Sequence, residues 1–432
     1  MKRITLLLFL LFSAALQLPA QQEKGIVGYN NWLNPWTEFK PNKVNYGTPT
    51  QILSGTINQD KTLRKRETYL LLGDVFVADS TTLTIEPGTV IIGDFDTKGS
   101  LTIARGSKII ADGTQTDPIV FTSSKSVKKP GDWGGLFILG NAPTSIYGNE
   151  SAINYGLRPK DATNLSYGGD DINDNSGVLN FVRIEYAGNR TKESGYISGL
   201  TLAGVGRNTY VQNIMVSYCE GNSVTVLGGN VIMDKMVSYR TSINDYKFNF
   251  GAQCKMSNSL AIRSPYVSGA SRAQCMQILA YDNVEDTDFT KPQTKVEAEY
   301  LTLVNVSENL DYDIKVGLVN EAIYIGNNTT FALDKSVISG FNPAVILDDQ
   351  IRINDGNLSN LQFTSTYFNN CNGNIFRKGF FNNDDLESWY GSRAFNNVYS
   401  KGPDSETFID ITNTRQPDFR LRINRIIASS DD

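Results

Sequence analysis

The sequence predicts an all-β protein, a right-handed parallel β-helix (β-solenoid) that forms a single domain with an N-terminal and a C-terminal cap. Residues 83–122 carry the strongest signal, because strand-like segments recur there at a step of about 18 residues, and a fixed period is typical of a solenoid. The repeated positions are occupied by Leu83, Leu101 and Ile119, and by Ile85, Ile103 and Phe121. Short β-branched strands separated by Gly, Pro and Asp support the same interpretation.

The repeat has a simple physical interpretation. One rung, meaning one complete turn of the solenoid, would take about 18 residues and hold three short strands. Successive rungs would pair as parallel strands roughly 4.8 Å apart, which places Leu83, Leu101 and Ile119 in one buried stack. A β-sandwich with coincidental spacing is one alternative, but several positions repeat at the same step. A left-handed β-helix, which also has turns of about 18 residues, is the other, but it tolerates poorly the variable rung length seen later in the chain.

The composition limits the classes of function. The chain has 432 residues, 40 basic against 45 acidic residues and a net charge of −5, which argues against nucleic acid as a partner. Histidine is absent. The chain therefore lacks the side chain most often used in acid–base catalysis near neutral pH and most often found as a metal ligand.

Residues 1–20 predict a signal peptide. Lys2 and Arg3 precede a mostly apolar run from Ile4 to Leu16, and Ala20 is a suitable cleavage position. A membrane anchor is the alternative, but the run is short for a membrane span and no later segment is apolar enough for one. We therefore expect an exported protein, located outside the cell, on its surface or in the periplasm.

The rest of the chain indicates no second domain. Trp32, Trp36 and Phe39 lie close together in residues 21–47, which we expect to form a hydrophobic lid on the open end of the solenoid. An aromatic platform for sugars is the alternative. The predicted units are the signal peptide (1–20), an N-terminal cap with the first rung (21–80), the parallel β-helix (81–375) with a long loop (141–177), and a C-terminal cap (376–432).

Later strand-like segments align with one another at less regular steps. A recurring tyrosine position contains Tyr186, Tyr218, Tyr239 and Tyr281, and alternation along the strands predicts that these rings stack inside the solenoid. A ladder of rings that stack on sugars is the alternative. Outward positions such as Met215 are unusually apolar or small. A contiguous apolar surface of this kind is expected to be covered by the chain's own long loop or by a partner.

Four segments together resemble a known family. They are TLTIEPGTVIIGD, LTIARGSKIIADGT followed by PIVFTS, GDWGGLFILGNAP, and DNSGVLNFVRIEYAG. These segments resemble the β-helix repeat proteins that are common among secreted and surface proteins of bacteria, many of which carry no assigned activity. The resemblance implies the β-helix fold over about residues 50–285. The same fold serves pectin-active enzymes, but the fold alone does not define the function.

The long loop is the candidate ligand site. Residues 141–177 form the longest insertion between strand-like segments, and insertions of this length are commonly functional. The loop contains Tyr147, Tyr155 and Tyr167 together with many amide and carboxylate side chains. Aromatic rings that stack and polar groups that form hydrogen bonds suit a polyhydroxylated ligand, so the expected partner is a polysaccharide or a surface protein.

The end of the same loop is a candidate metal site. Oxygen-bearing side chains at alternate positions suit calcium, and the candidate ligands are Asp170, Asp171, Asn173, Asp174 and Asn175. A complete EF-hand is excluded, since Ser176 and Val182 stand where that loop needs Gly and Glu. Asx-turns that begin the next strand are the favoured alternative, so calcium is the only cofactor considered and none is required.

Cys254 and Cys275 are the candidate disulfide. Their separation is close to one rung in this part of the sequence, so stacking on neighbouring rungs would bring their Cα atoms within about 5 Å. Export into an oxidising compartment would then favour the bond.

The preferred function is a surface or matrix binding module for a glycan or a partner protein, without catalysis. A calcium-dependent polysaccharide lyase remains the second candidate, and a purely structural spacer remains the third. A lyase would need a lysine or arginine as its base, because the chain has no histidine.

Overall fold

The computed structural model describes residues 24–148, 150–192, 195–267, 273–380 and 382–422. It shows a right-handed parallel β-helix, in which 29 strands pair into one continuous group. The predicted fold class is therefore confirmed. The signal peptide predicted for residues 1–20 lies outside the described residues.

Each rung contributes one strand to each of three parallel sheets, which we call A, B and C in the order in which the chain passes through them. Sheet A consists of Lys61–Leu63, Thr82–Ile85, Lys108–Asp112, the first halves of Gly177–Glu185 and Tyr210–Ser217, Asn230–Asp234, Gln253–Ser257, Lys295–Glu299, Thr330–Asp334 and Leu361–Thr364.

Sheet B consists of the first halves of Gln51–Ile57 and Thr68–Val77, Val90–Gly93, Ile119–Ser123, the second halves of Gly177–Glu185 and Tyr210–Ser217, Val237–Tyr239, Leu260–Arg263, Thr302–Asn305, Val337–Ser339, Tyr367–Asn369 and Val398–Ser400. Sheet C consists of the second halves of Gln51–Ile57 and Thr68–Val77, Ser100–Ile103, Leu136–Leu139, Leu200–Ala203, Val224–Leu227, Tyr246–Asn249, Met276–Ile278, Ile323–Ile325, Val345–Leu347 and Ile375–Arg377.

The remaining elements lie on the connections and near the C-terminus. The α-helices are Leu310–Lys315, Asp355–Leu358, Asp384–Tyr390 and Asp404–Thr407, and the 3-10 helices are Pro41–Lys43, Ala162–Leu165, Val284–Asp286 and Arg393–Phe395. Three antiparallel pairs join Ser151–Ala152 to Ser166–Tyr167, Arg190–Thr191 to Gly195–Tyr196, and Phe408–Asp410 to Asp418–Leu421. Among the described residues, no helix is long and apolar enough to cross a membrane.

The rung is longer than the sequence predicts. Leu83 pairs with Ile109 and Val75 pairs with Leu101, so a rung here takes about 26 residues. The prediction that Leu83, Leu101 and Ile119 stack on one another is wrong, because they belong to sheets A, C and B. All three are nevertheless buried in the core. The repeat of about 18 residues contains two strands and the bend between them, whereas a rung contains three strands.

The corner between sheets A and B is formed by a residue with a positive φ. Phe181 has a φ of 48°, Asn213 of 53°, Asn258 of 43° and Tyr300 of 56°. This left-handed conformation is uncommon for residues other than glycine. The corner residue interrupts the alternation of side chains between the two faces of a strand. Inward and outward positions before the corner therefore do not predict those after it.

The tyrosine stack lies outside the solenoid. Tyr186 and Tyr218 follow strands of sheet B, have φ values of 61° and 52°, and stack with their ring centroids 5.4 Å apart. Tyr239 meets Tyr218 edge-on at 5.5 Å and Phe39 at 5.0 Å. The predicted inward stack is therefore wrong: these rings pack beneath the N-terminal segment, and Tyr281 is not part of the stack.

The N-terminal segment, residues 24–47, runs along the outer face of sheet B instead of covering the open end. Its Ile26, Leu33, Trp36 and Phe39 pack on apolar residues of an outward row of sheet B, namely Met215, Val237, Leu260, Val337 and Tyr367, and Thr302 stands in the same row between Leu260 and Val337. The predicted lid is thus wrong in its position. The apolar surface predicted from the sequence is covered by this segment and not by the long loop.

Specific polar contacts hold the N-terminal segment on the sheet. Asn258 accepts a hydrogen bond from the Val27 amide at 2.9 Å and donates to the Val27 carbonyl at 3.1 Å. At the other end, the Tyr46 hydroxyl donates to the buried Glu185 carboxylate at 2.7 Å, and Arg183 donates to the Tyr46 hydroxyl at 3.0 Å. Each end of the segment is therefore fixed to a different part of the solenoid.

The helix Asp384–Tyr390 covers the last core residues at the C-terminal end. Tyr390 is buried, meets Phe363 edge-on at 5.3 Å and donates to the Leu361 carbonyl at 2.9 Å. Beyond this helix, Phe408 and Phe419 join the apolar cluster under the N-terminal segment. The N-terminal segment and residues 408–421 therefore meet on the outer face of sheet B.

The predicted disulfide is wrong. Cys254 lies in sheet A, where its neighbours on adjacent rungs are Val231 and Val296. Cys275 directly precedes the sheet C strand Met276–Ile278, and all four cysteines are buried free thiols. A spacing of one rung does not produce adjacency here, because the connections between strands differ in length.

Replacing Trp36 with alanine should destabilise the protein by about 3 to 5 kcal/mol, because the side chain is fully buried against Phe181 and Trp32 and its loss leaves a cavity. Denaturant unfolding measures the change. Tyr29→Ala is the control, since that ring is fully exposed and its removal should change the free energy of unfolding by less than about 0.5 kcal/mol. Equal effects of the two substitutions would contradict the position of the segment.

The native protein should not react with Ellman's reagent at pH 8, because burial raises the pKa of Cys219 and of Cys371 to about 12 and shields all four thiols. After denaturation without reductant, four thiols should react. A yield of only two thiols would indicate a disulfide and would contradict the structure.

Candidate functional site: a tyrosine cleft on sheet C

The long loop folds back over the outer face of sheet C and encloses a cleft of about 810 Å³. We call it the tyrosine cleft. The lining residues that matter for its chemistry are Tyr147, Tyr155, Tyr167, Tyr196, Asn222, Thr225, Lys247, Asp282, Glu285 and Asp286. The three tyrosines that the sequence singled out therefore line one cavity, together with a fourth.

Sheet C forms the floor of the cleft. Thr225 and Lys247 occupy the same outward position on neighbouring rungs, while Val224 and Val226 point into the core. The Thr225 hydroxyl accepts a hydrogen bond from the Asn222 side-chain amide at 3.2 Å. The regular ladder of strands thus places polar side chains on a rigid floor.

The long loop forms one wall and is itself well packed. Its Ile153 and Tyr167 are buried against Phe137 and Leu139, which are outward residues of sheet C. The Tyr155 ring lies 5.6 Å from the Phe137 ring at an interplanar angle of 43°. Because the loop covers apolar residues of the sheet, its tyrosines are held in defined positions.

The segment that follows the next strands forms the facing wall. The Tyr147 amide donates to the Asp286 carbonyl at 3.1 Å, and the Asp288 amide donates to the Ser145 carbonyl at 2.7 Å. The Lys291 ammonium donates to the Ile146 carbonyl at 2.7 Å. These bonds tie the beginning of the long loop to the acidic segment 282–286.

The four tyrosines differ in accessibility. The Tyr147 side chain is 61% exposed, whereas Tyr155 and Tyr196 are half-buried and Tyr167 is 2% exposed. Tyr147 therefore offers the most open ring face to a ligand. Tyr167 contributes to the lining mainly as packed support.

Burial changes the acidity of two of these hydroxyls. It raises the pKa of Tyr155 and that of Tyr167 to about 12, and the negative charge of Asp282 acts in the same direction on both. Both groups are therefore protonated near neutral pH. They act as hydrogen-bond donors and acceptors and not as phenolate bases.

The lysine on the floor is paired with a carboxylate. The Lys247 ammonium lies 3.4 Å from an Asp282 carboxylate oxygen, and the Asn249 side-chain amide donates to the same oxygen at 2.7 Å. The Asp282 side chain is 54% exposed, so the pair lies at the rim of the cleft. Glu285 and Asp286 are exposed beside it.

Sequence reasoning missed Tyr196, Lys247 and Asp282. Each lies on a different rung or connection, and they come together only because the rungs stack and two connections fold over the same face. No motif or spacing in the sequence links them. Correct rung boundaries could have placed Lys247 on the outward row beside Thr225.

The five candidate calcium ligands lie mainly in local turns. The Asp171 carboxylate accepts the Asn173 amide at 2.9 Å, and the Asn175 side chain accepts the Gly177 amide at 2.9 Å. The Asp174 carboxylate accepts the Ser176 hydroxyl at 2.9 Å, and burial raises the pKa of this carboxyl. These are the Asx-turn contacts that the alternative interpretation describes.

Asp170 is exposed at the start of the same stretch. Within the described parts of the chain, no three acidic or cysteine side chains are grouped so that they could hold a metal ion. Calcium binding by Asp170, Asp171, Asn173, Asp174 and Asn175 stays an untested prediction.

The fold and the cleft define a class: a β-helix protein with a walled cleft on the outer face of one sheet. A family model for the pectate-lyase-like β-helix domain matches residues 55–401. The chain belongs to this family. Its β-helix architecture agrees with the resemblance seen in the sequence.

One solved structure is similar over most of its length. An alginate lyase from Paenibacillus sp. str. FPU-7 aligns with 82% of this chain and 98% of that chain, at 11% identity and a TM-score of 0.22. A TM-score this low supports no conclusion about substrate or mechanism. No curated protein matches this chain.

The free energy of unfolding should fall between pH 10 and pH 12, and Tyr155→Phe should reduce that fall by about 1 to 2 kcal/mol. The pKa of Tyr155 is raised to about 12 in the folded protein, so its stabilising contribution is complete below its unfolded pKa of about 10 and is lost as the pH rises through the folded value.

Denaturant unfolding at pH 9, 10, 11 and 12 measures this difference. Tyr312→Phe, whose side chain is 59% exposed, is the control and should follow the wild-type curve. Identical pH dependence of wild type and Tyr155→Phe would contradict the burial of the Tyr155 hydroxyl.

Proposed function

We propose that this chain is an exported glycan-binding protein that holds a carbohydrate in the tyrosine cleft without cleaving it. The observation that carries the proposal is the convergence of Tyr147, Tyr155, Tyr167 and Tyr196 on one cavity beside amide, hydroxyl and carboxylate groups. Mixed aromatic and polar linings of this kind are typical of small-molecule and cofactor sites.

The two kinds of group would act on different faces of a sugar ring. The exposed Tyr147 ring can stack on the apolar face of a pyranose, and aromatic contacts of this kind contribute about 0.5 to 1.5 kcal/mol. On the floor, the half-buried Asn222 side chain offers polar atoms to the hydroxyl groups, whereas Thr225 is 2% exposed and its hydroxyl already bonds to Asn222 and Ser198. A rigid floor reduces the entropy lost on binding.

Binding without cleavage is supported by the state of the tyrosine and lysine side chains that a lyase without histidine could use as bases. The chain has no histidine. Burial raises the pKa of Tyr155 to about 12, so its hydroxyl retains its proton near neutral pH, and the Lys247 ammonium faces the Asp282 carboxylate at 3.4 Å. Neither group is free to remove a proton from a bound sugar.

A polysaccharide lyase is the second candidate, and membership of the pectate-lyase-like family favours it. Lys247 would then be the candidate base, after release from Asp282. The test is incubation with pectate, alginate and other acidic polysaccharides, with and without calcium. Unsaturated products that disappear in Lys247→Ala would establish the lyase and refute binding without cleavage.

Export is part of the proposal. The N-terminal sequence MKRITLLLFLLFSAALQLPAQQ has the charged, apolar and small-residue regions of a signal peptide. N-terminal sequencing of the protein recovered from the periplasm or the medium of a bacterial host should begin near Gln21. Retention in the cytoplasm with residues 1–20 intact would contradict export.

Tyr147→Ala should weaken binding to the best ligand found on an array of soluble polysaccharides by about tenfold, because a stacking contact of about 1.4 kcal/mol is lost. Titration calorimetry measures the affinity. Tyr312→Ala is the matched control, since the Tyr312 side chain is 59% exposed, like the 61% of Tyr147, but lies on the helix Leu310–Lys315 and does not line the cleft. Equal losses for both variants would place the site elsewhere.

A further inference from the structure

We infer that the tyrosine cleft selects glycans without carboxylate groups and disfavours polyuronates. This inference rests on the proposed function and adds the chemical class of the ligand. It depends on the charges in the cleft: Asp282, Glu285 and Asp286 face one lysine, Lys247. The lining therefore carries an excess of negative charge at neutral pH.

Lys247, the one lysine among the described lining residues, is already paired. The Lys247 ammonium lies 3.4 Å from the Asp282 carboxylate, which also accepts a hydrogen bond from Asn249 at 2.7 Å. A carboxylate on a ligand would have to compete with Asp282 for this ammonium. Glu285 and Asp286 remain exposed beside the pair, and the described part of the lining holds no other lysine or arginine to balance them.

Two further cations lie near the cleft, and each has its own contacts. The Lys291 ammonium donates to the carbonyl oxygens of Ile146 and Gly148, behind the long loop. The Arg190 guanidinium lies 5.6 Å from the Tyr196 ring centroid. Burial raises the pKa of the Glu220 carboxyl, and the positive charge of Arg190 acts in the opposite direction. Neither side chain lines the cavity.

These charges act oppositely on neutral and acidic sugars. The hydroxyl groups of an uncharged sugar can donate to Glu285 and Asp286, and hydrogen bonds to a carboxylate are stronger than those between neutral groups. A polyuronate brings one carboxylate with every sugar and meets like charges at the same place. Within the described residues, no three or more acidic or cysteine side chains are grouped so that they could hold a metal ion.

The test uses polysaccharides that differ only in the carboxyl group. The probes are polygalacturonate and its carboxyl-reduced form, alginate and its carboxyl-reduced form, and cello-oligosaccharides and their 6-carboxyl-oxidised forms. Affinities are measured by titration calorimetry at low and high salt, without and with calcium. For each pair that binds, the uncharged member should bind at least about tenfold more tightly at low salt, and the preference should shrink at high salt as the repulsion is screened.

The variant E285Q/D286N should reduce this preference to less than about threefold. Its affinity for the uncharged member should fall, because hydrogen bonds to two carboxylates are lost, and its affinity for the acidic member should rise, because the repulsion is removed. E308Q/D311N is the matched control, because it removes two exposed acids that do not line the cleft, and it should keep the wild-type preference. Circular dichroism and thermal unfolding verify that both variants are folded.

The outcomes separate this inference from the function on which it rests. Preference for the acidic member of a pair, equal affinities, or calcium-dependent binding of a polyuronate would overturn the selectivity and leave glycan binding intact. Absence of binding to every probe would overturn the proposed function and the selectivity together. An unchanged preference in E285Q/D286N would show that these two carboxylates do not determine it.

Discussion

Backbone pairing between successive rungs is the constraint on which the rest of the structure depends. Every rung must present three strands in register with the previous rung, so extra residues can leave the solenoid only at the corners between sheets. Segments 140–176 and 279–294 leave between sheets C and A, and segment 186–199 leaves between sheets B and C. All three fold over the outer face of sheet C, which is why a cleft forms there.

The outer faces of sheets B and C are covered by the chain to different extents. On sheet B the outward row is apolar, and the N-terminal segment with Phe408 and Phe419 covers it. On sheet C the covering loop packs on Phe137 and Leu139 but stops before Thr225 and Lys247, which stay in the cleft. One face is thus closed by the chain itself, whereas the other keeps a walled space with polar groups at its base.

The sequence predicted the fold class and the long insertion between strands, since both depend on local patterns: short strands, bends at Gly and Pro, and one long polar segment. The predictions from the sequence were wrong where the structure depends on backbone conformation at the corners or on contacts between different rungs. The predicted rung length was too short, because the repeated unit in the sequence holds two strands and a rung holds three. The side-chain directions were wrong because Phe181 and Tyr218 have positive φ without being glycine. Of the cleft, the three loop tyrosines were predictable, but Lys247 and Asp282 come from other rungs.

The position of the N-terminal segment has a consequence for the order of folding. Asn31 donates to the Pro417 carbonyl across 386 residues of sequence, and Arg420 donates to the Gly28 carbonyl across 392. The first described segment to leave the ribosome therefore completes its last contacts only when residues 417–420 have been made. Until then, the part of the apolar cluster that Phe408 and Phe419 join stays open to water. An incomplete chain thus exposes apolar surface beside sheet B, which a molecular chaperone can recognise.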